Sequence, residues 1–195
     1  ARKGAPVDAR WNLVHATHTT PQELADLQAA GAAIVICPST EANLGDGVFD
    51  YTGWAALGGN WSIGSDSHVT RSLTEELRLL EYSQRLTRRQ RNIAARVTGV
   101  DSTAAALLQG AVRGGAAASG QQTGGIAVGQ RADWCVLDAQ ATCLAGVPGA
   151  NALDALVFSS PGAANVVTGV AGRAVPAVLP NVQIEFVKAM QGIWK

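Results

Sequence analysis

The sequence predicts an α/β protein whose first part is built on parallel strands and whose second part is a separate β layer. Three observations carry this reading. Residues 11–37 read as strand, helix and strand; polar side chains gather just past each apolar run; and after Gly110 the pattern shifts to glycine turns and short β segments. Parallel strands joined by helices bring their carboxyl ends to one edge, where ligand sites form in such sheets.

Trp11-Asn12-Leu13-Val14-His15 reads as a short buried strand. Thr20-Pro21-Gln22-Glu23 then gives an N-cap, a proline at the first helical position and an acid at N3, which together start a helix. Leu24, Leu27 and Ala30 form its apolar face, Gly31 stops it, and residues 32–37 make an unbroken apolar strand ended by Pro38. A loop over residues 39–50 leads to a short helix near residues 52–57 and a strand over residues 61–64, which ends at Ser65-Asp66-Ser67-His68. Ser72 with Glu75 caps a long helix over residues 73–89, with Leu77, Leu80 and Leu86 on its apolar face. A further helix is expected from Ser102 to about Val112, with Asp101 as its cap. Gly114-Gly115, Gly120 and Gly124-Gly125 then read as turns, with Ala116-Ala117-Ala118 as a helix end. Residues 126–137, 155–158 and 165–170 read as β segments, and residues 182–194 as a closing helix.

Composition narrows the partners. Fifteen Lys and Arg balance fifteen Asp and Glu, so the chain has no extended field to steer nucleic acid or anionic lipid, and none of either is expected as a partner. No run of 18 apolar residues occurs, and Ala1-Arg2-Lys3-Gly4 is followed by no apolar h-region, so neither a membrane span nor a signal peptide is expected. Cys37, Cys135 and Cys143 are odd in number and form no CxxC pair; we expect buried, reduced thiols in a cytoplasmic protein. Small molecules or further subunits are the expected partners. No Walker or dinucleotide fingerprint is present.

The chemistry-bearing residues fall early. His15, His18 and His68 all lie within the first 68 residues and, with Asp66, sit at or just past strand ends. Imidazole and carboxylate both suit zinc, but a catalytic zinc ordinarily takes three protein ligands and a water. Either something outside these residues completes the site, or it is not a metal site. Residues 37–47 mix two acids, an amide and paired glycines, which fits a surface turn or a polar-substrate loop. Arg85, Arg88, Arg89 and Arg91 read as a solvated helix end complementing the dipole, opposite Glu75 and Glu76 in the first turn.

Leu13-Val14-His15-Ala16-Thr17-His18, Cys37-Pro38-Ser39-Thr40-Glu41-Ala42-Asn43-Leu44-Gly45-Asp46-Gly47, Gly64-Ser65-Asp66-Ser67-His68 and Glu75-Glu76-Leu77-Arg78 closely resemble the C-terminal half of the formimidoylglutamate deiminase family, within the amidohydrolase superfamily. Ser39-Thr40-Glu41-Ala42-Asn43 is the discriminating piece, because broader deaminase relatives tend to carry a Ser-Asn pair after Cys-Pro.

The resemblance implies the C-terminal part of a (β/α)8 TIM barrel of amidohydrolase type over residues 1–119, part of a composite β-sandwich over residues 120–180, and a C-terminal segment over residues 181–195. At 195 residues the chain is shorter than the roughly 250 of a complete barrel. The resemblance further implies a zinc hydrolase of histidine degradation that converts N-formimidoyl-L-glutamate to N-formyl-L-glutamate and ammonia. His15 falls at the end of the sixth strand and Asp66 at the end of the eighth. Asp66 matches a metal-binding aspartate that also takes a proton from the attacking water, and His15 a histidine that orients that water. Glu41 and His68 are expected in the substrate pocket or behind it.

The family's remaining metal ligands, its proton-shuttling glutamate and its carboxylate-gripping arginines match no residue here. The chain alone is therefore expected to be inactive, the activity belonging to an intact parent for which a homodimer is admitted. Another aminohydrolase, such as a guanine deaminase, and a truncated, non-catalytic interaction module are the alternatives.

Overall fold

The computed structural model describes residues 6–67, 70–159, 165–175 and 180–193. Strands β1 (Asn12–Val14), β2 (Ala33–Ile36) and β3 (Trp61–Ile63) form a parallel sheet in the order β1-β2-β3. Leu13 lies opposite Ile34, and Ile34 opposite Trp61, so neighbours in sequence are neighbours in space. Helix α1 (Pro21–Ala29) joins β1 to β2; its Thr20–Glu23 capping box and Pro21 stand as the sequence predicts. The apolar run of β2 is explained by its central place: Ile34 and Ile36 are fully buried. β1 is an edge strand among the described residues and is more open than expected, with Trp11 and Val14 exposed.

The segment after β2 is not simply a loop. Pro38 ends the strand but occupies the first position of helix α2 (Pro38–Leu44), which Gly45 closes in the left-handed region at φ 67°. Asp50 then caps α3 (Tyr51–Ala56) by accepting from Gly53 N at 3.0 Å. After β3 come α4 (Leu73–Arg88), α5 (Ile93–Thr98) and α6 (Thr103–Ser119). Of these, α5 is not legible in the hydrophobic periodicity, and Ser102, not Asp101, caps α6 by accepting from Ala105 N.

Helix α6 runs through Gly114-Gly115, which read as a turn, and ends at Gly120. At Gly110 a Cβ would strike the Trp61 ring, and at Gly114 it would overlap the Trp61 carbonyl, so these glycines let the helix lie against β3. The buried face of α4 is also only partly as expected. Leu77 and Leu80 are buried, but Leu86 is 81% exposed, and Glu76, Glu81 and Gln84 take the inward positions. These polar groups have partners: Glu81 accepts from Ile93 N, Ala94 N and Arg85, and Gln84 donates to Phe49 O. Of the arginine cluster, Arg88, Arg89 and Arg91 are exposed as expected, and only Arg85 is partly buried. Arg85 is paired to Glu81 and lies over the Phe158 ring, and Arg88 binds Asp50.

The later region contains a second, antiparallel sheet of β4 (Trp134–Leu137), β5 (Asn165–Val170) and β6 (Arg173–Val175), in the order β4-β5-β6. Of the β segment expected over residues 126–137, only the last four residues form a strand. Residues 155–158 are helical, as part of α7 (Ala152–Phe158), a reversal that a four-residue apolar run cannot signal by periodicity. Helix α7 packs on the first core through Val157 and Phe158, and its Asp154 accepts from Ala104 N in the first turn of α6. Helix α8 (Pro180–Ile193) closes the described chain, with Val182, Ile184 and Phe186 exposed. All three cysteines are free, but Cys135 is exposed rather than buried. No helix among the described residues is long and apolar enough to cross a membrane.

Candidate active site

The three parallel strands end together. His15 follows β1, Cys37 follows β2, and Gly64 to Asp66 follow β3. Backbone bonds carry the ladder past the strand ends: His15 N donates to Val35 O at 2.8 Å and Gly64 N to Ile36 O at 3.0 Å. The chain then turns sharply. His15, Ala16 and Asp66 hold φ values of 68°, 52° and 41°, in a region that costs a non-glycine residue about 1 kcal/mol or more each. Strain of this kind concentrates where surrounding structure fixes a side chain for use.

His15 stands between two carboxylates. Its Nε2 lies 3.4 Å from Asp66 Oδ2, and its Nδ1 lies 3.2 Å from Glu41 Oε1. The two acids differ in environment: the Asp66 side chain is 42% exposed, whereas that of Glu41 is 6% exposed and His15 is intermediate at 33%. Glu41 also accepts from Cys37 N at 2.8 Å. Burial pushes the Glu41 carboxyl above its ordinary range, while the Cys37 N–H and His15 pull in the opposite direction.

The first turn of α2 acts as a bracket. Ser39 donates from N and Oγ to the buried Glu76 of α4, Thr40 Oγ1 lies 3.1 Å from Ser67 Oγ beside Asp66, and Glu41 reaches His15. Glu76, which in sequence reads as a solvated first-turn acid, is thus an anchor for α2. His18 does not join the group. It is exposed and pairs with Asp46, which Thr17 also contacts, so the two latch the β1–α1 loop to the α2–α3 loop. His68 lies outside the described residues.

His15, Cys37 and Glu41 bring potential ligand atoms within 4.8 Å of one another. Two facts count against that trio as a ready metal site. Glu41 Oε1 already serves Cys37 N, and the Cys37 thiol is pushed up to about 12, first by burial and then by the charges of Glu41, Asp66 and Glu76. The accessible donor pair is instead Asp66 Oδ2 and His15 Nε2.

A parallel α/β sheet with an acid and an imidazole meeting at its carboxyl edge defines a class of hydrolase scaffold, and the chain belongs to the amidohydrolase family, whose model matches residues 2–175. It is 49% identical over 153 residues to the formimidoylglutamate deiminase of Pseudomonas aeruginosa, covering 78% of this chain and 34% of that protein. A crystal structure of an amidohydrolase from Brucella melitensis matches with a TM-score of 0.88 at 39% identity, over 98% of this chain and 43% of that one. An adenosine deaminase from Xanthomonas campestris, solved with bound zinc, shares the fold with a TM-score of 0.79 at 22% identity, over 95% of this chain and 43% of that one. The parallel unit is a partial TIM-type barrel, and the chain spans about a third of the length of the curated relative, at 34%.

Proposed function

We propose that this chain supplies the closing strands of an amidohydrolase that deiminates N-formimidoyl-L-glutamate with water, giving N-formyl-L-glutamate and ammonia. The observation that carries the reading is the meeting of Asp66 and His15 at 3.4 Å across the carboxyl edge of a family member that is 49% identical to a formimidoylglutamate deiminase.

The donor set fits a zinc site in kind and falls short of it in number. Asp66 offers a half-open carboxylate and His15 an imidazole nitrogen, whereas a catalytic zinc ordinarily takes three protein ligands. Asp66 would hold the ion together with ligands from the rest of the barrel, and binding by this chain alone is weak. When bound, zinc supplies Lewis acidity and lowers the pKa of water. Asp66 accepts the proton of the attacking water. His15 Nε2, on the same side, orients that water toward the formimidoyl carbon. The returned proton leaves with the amine as ammonia. Glu41 is enclosed and engaged by Cys37 N and His15 Nδ1, so its place is behind His15.

The test is a chimaera in which this chain replaces the matching third of the Pseudomonas aeruginosa deiminase. Ammonia release from formimidoylglutamate is expected, with none above background from the 195-residue chain alone. Turnover by the isolated chain would refute the division of the site, and a folded chimaera inert on formimidoylglutamate would refute the substrate.

A further inference from the structure

We propose that Glu41 is a positioning residue that fixes the tautomer and ring plane of His15, holding the proton on Nδ1 and leaving Nε2 free as an acceptor on the side of Asp66. The proposal deepens the deiminase reading, because it gives His15 the form in which it can take a hydrogen bond from water.

The geometry begins with the N-terminus of α2. Cys37 is its N-cap residue and has no side-chain cap, so the backbone N–H of Cys37 turns to Glu41 Oε1, four residues ahead, at 2.8 Å. That same oxygen lies 3.2 Å from His15 Nδ1, from a residue 26 positions earlier in the chain. Both ring nitrogens face carboxylate oxygens, which only accept hydrogen bonds. Nδ1 makes one, to Glu41, whereas Nε2 stands 3.4 Å from the half-open Asp66 Oδ2 without one, so Nδ1 is the donor. The two N–H donors converging on this enclosed oxygen oppose the burial that pushes the Glu41 carboxyl up. A neutral imidazole carries one N–H, so donation from Nδ1 leaves Nε2 with a lone pair.

A role confined to the helix end explains only part of this. Capping Cys37 N needs one oxygen near α2 and does not require the acid to reach β1. Nor does it require α2 itself to be braced, yet Ser39 is anchored to buried Glu76 and Thr40 meets Ser67. The bracing on both sides of Glu41 sets where its carboxylate stands relative to the strand ends. His15 needs that support, since it sits in a left-handed conformation at φ 68°, directly after β1, with no helix to orient it. An acid that holds the far nitrogen of a working imidazole acts through tautomer and orientation, and its loss costs on the order of 10²–10⁴ in kcat in comparable sites.

The experiment reads the tautomer itself. With only three histidines, long-range ¹H–¹⁵N correlation spectra of the ¹⁵N-histidine-labelled 195-residue chain at about pH 8.5, where ordinary imidazoles are neutral, resolve each ring. The His15 ring is expected in the Nδ1–H form in the native chain and in Glu41→Gln, whose carbonyl oxygen can accept from both donors. Glu41→Ala is expected to move it to the Nε2–H form or to a mixture. In the active chimaera, Glu41→Ala should lower kcat about 10²-fold with little change in KM, and Glu41→Gln should restore most of it. A native His15 in the Nε2–H form, or an alanine variant with the native tautomer, overturns the proposal. The native spectrum decides even if the alanine variant does not fold. The spectra are independent of substrate, so failure of the deiminase reading and failure of this one are separate results.

Discussion

The parallel-sheet region and the antiparallel-sheet region of this chain are built from similar small apolar residues and bury them very differently. In the first, Ile34, Ile36, Trp54, Leu77, Leu80 and Leu107 are enclosed by β2, α3, α4 and α6 in one core. In the second, the buried cluster is Cys143, Leu144 and Ala155, while Val136, Val166, Val170 and Val175 on the strands stay exposed. The difference teaches that strand propensity alone buries nothing. A strand becomes core when helices cover it; in this chain the covered strands β2 and β3 lead to Cys37 and Asp66, and the open edge strand β1 pairs with β2 to bring His15 beside them.

The largest effect that would sharpen this contrast is catalytic. Asp66→Ala in the chimaera is expected to reduce ammonia release by about 10³-fold or more while leaving the melting temperature within a few degrees, because Asp66 is half open and its loss removes a proton acceptor rather than packing. A comparable loss from a second-region surface change such as Val136→Ala would break the assignment of chemistry to the first region.

Thiol chemistry separates the regions next. With its thiol pushed up to about 12, buried Cys37 should react with a disulfide reagent at pH 8 at least about 10³-fold more slowly than exposed Cys135. Equal rates in the folded chain would contradict the tight enclosure of the first region.

Two glycines that face tryptophans give a matched stability test. Gly114→Ala sets a Cβ into the Trp61 backbone carbonyl, which cannot move without displacing β3, and should cost about 3 kcal/mol or more. Gly169→Ala meets the Trp134 side chain, in the less enclosed sheet, where the ring can turn, and should cost about 1 kcal/mol. Thermal unfolding of both variants checks the order; the reverse order would break the comparison.

The smallest effect is a pH dependence. Burial alone would raise the Asp50 carboxyl, but Gly53 N–H, Thr52 and Arg88 outweigh it and hold it below its ordinary 3.8. A carboxyl lowered in the folded state contributes stability above the unfolded value and loses it as pH falls through the folded one. Asp50→Ala should therefore cost about 1 kcal/mol at pH 7. Its deficit relative to the native chain should shrink as pH drops below 3.8, as chemical denaturation at several pH values would show.

What the sequence reveals depends on the range of the interactions. The α1 start is legible because Thr20, Pro21 and Glu23 satisfy one another within four residues, and β2 because a central parallel strand is apolar throughout. His15 and Asp66 are legible as strand-end residues, but their meeting requires the β1-β2-β3 register. Helix α2 is hidden behind a strand-ending proline and turn-forming Asn, Gly and Asp. Glu41 is placed near the pocket only by the family resemblance and Glu76 reads as a first-turn acid, because nothing near them in sequence announces partners 26 and 37 positions away in His15 and Ser39. Helix α7 is hidden for another reason: its inward face is set by α4 and α6, not by its own short apolar run.

The central claim is that the strand ends of this chain complete a deiminase site, and ammonia release by the chimaera is its most direct measurement. Release from formimidoylglutamate that is lost in Asp66→Ala and in His15→Ala, with both variants folded, is the predicted result. Unchanged release in either variant would contradict the claim.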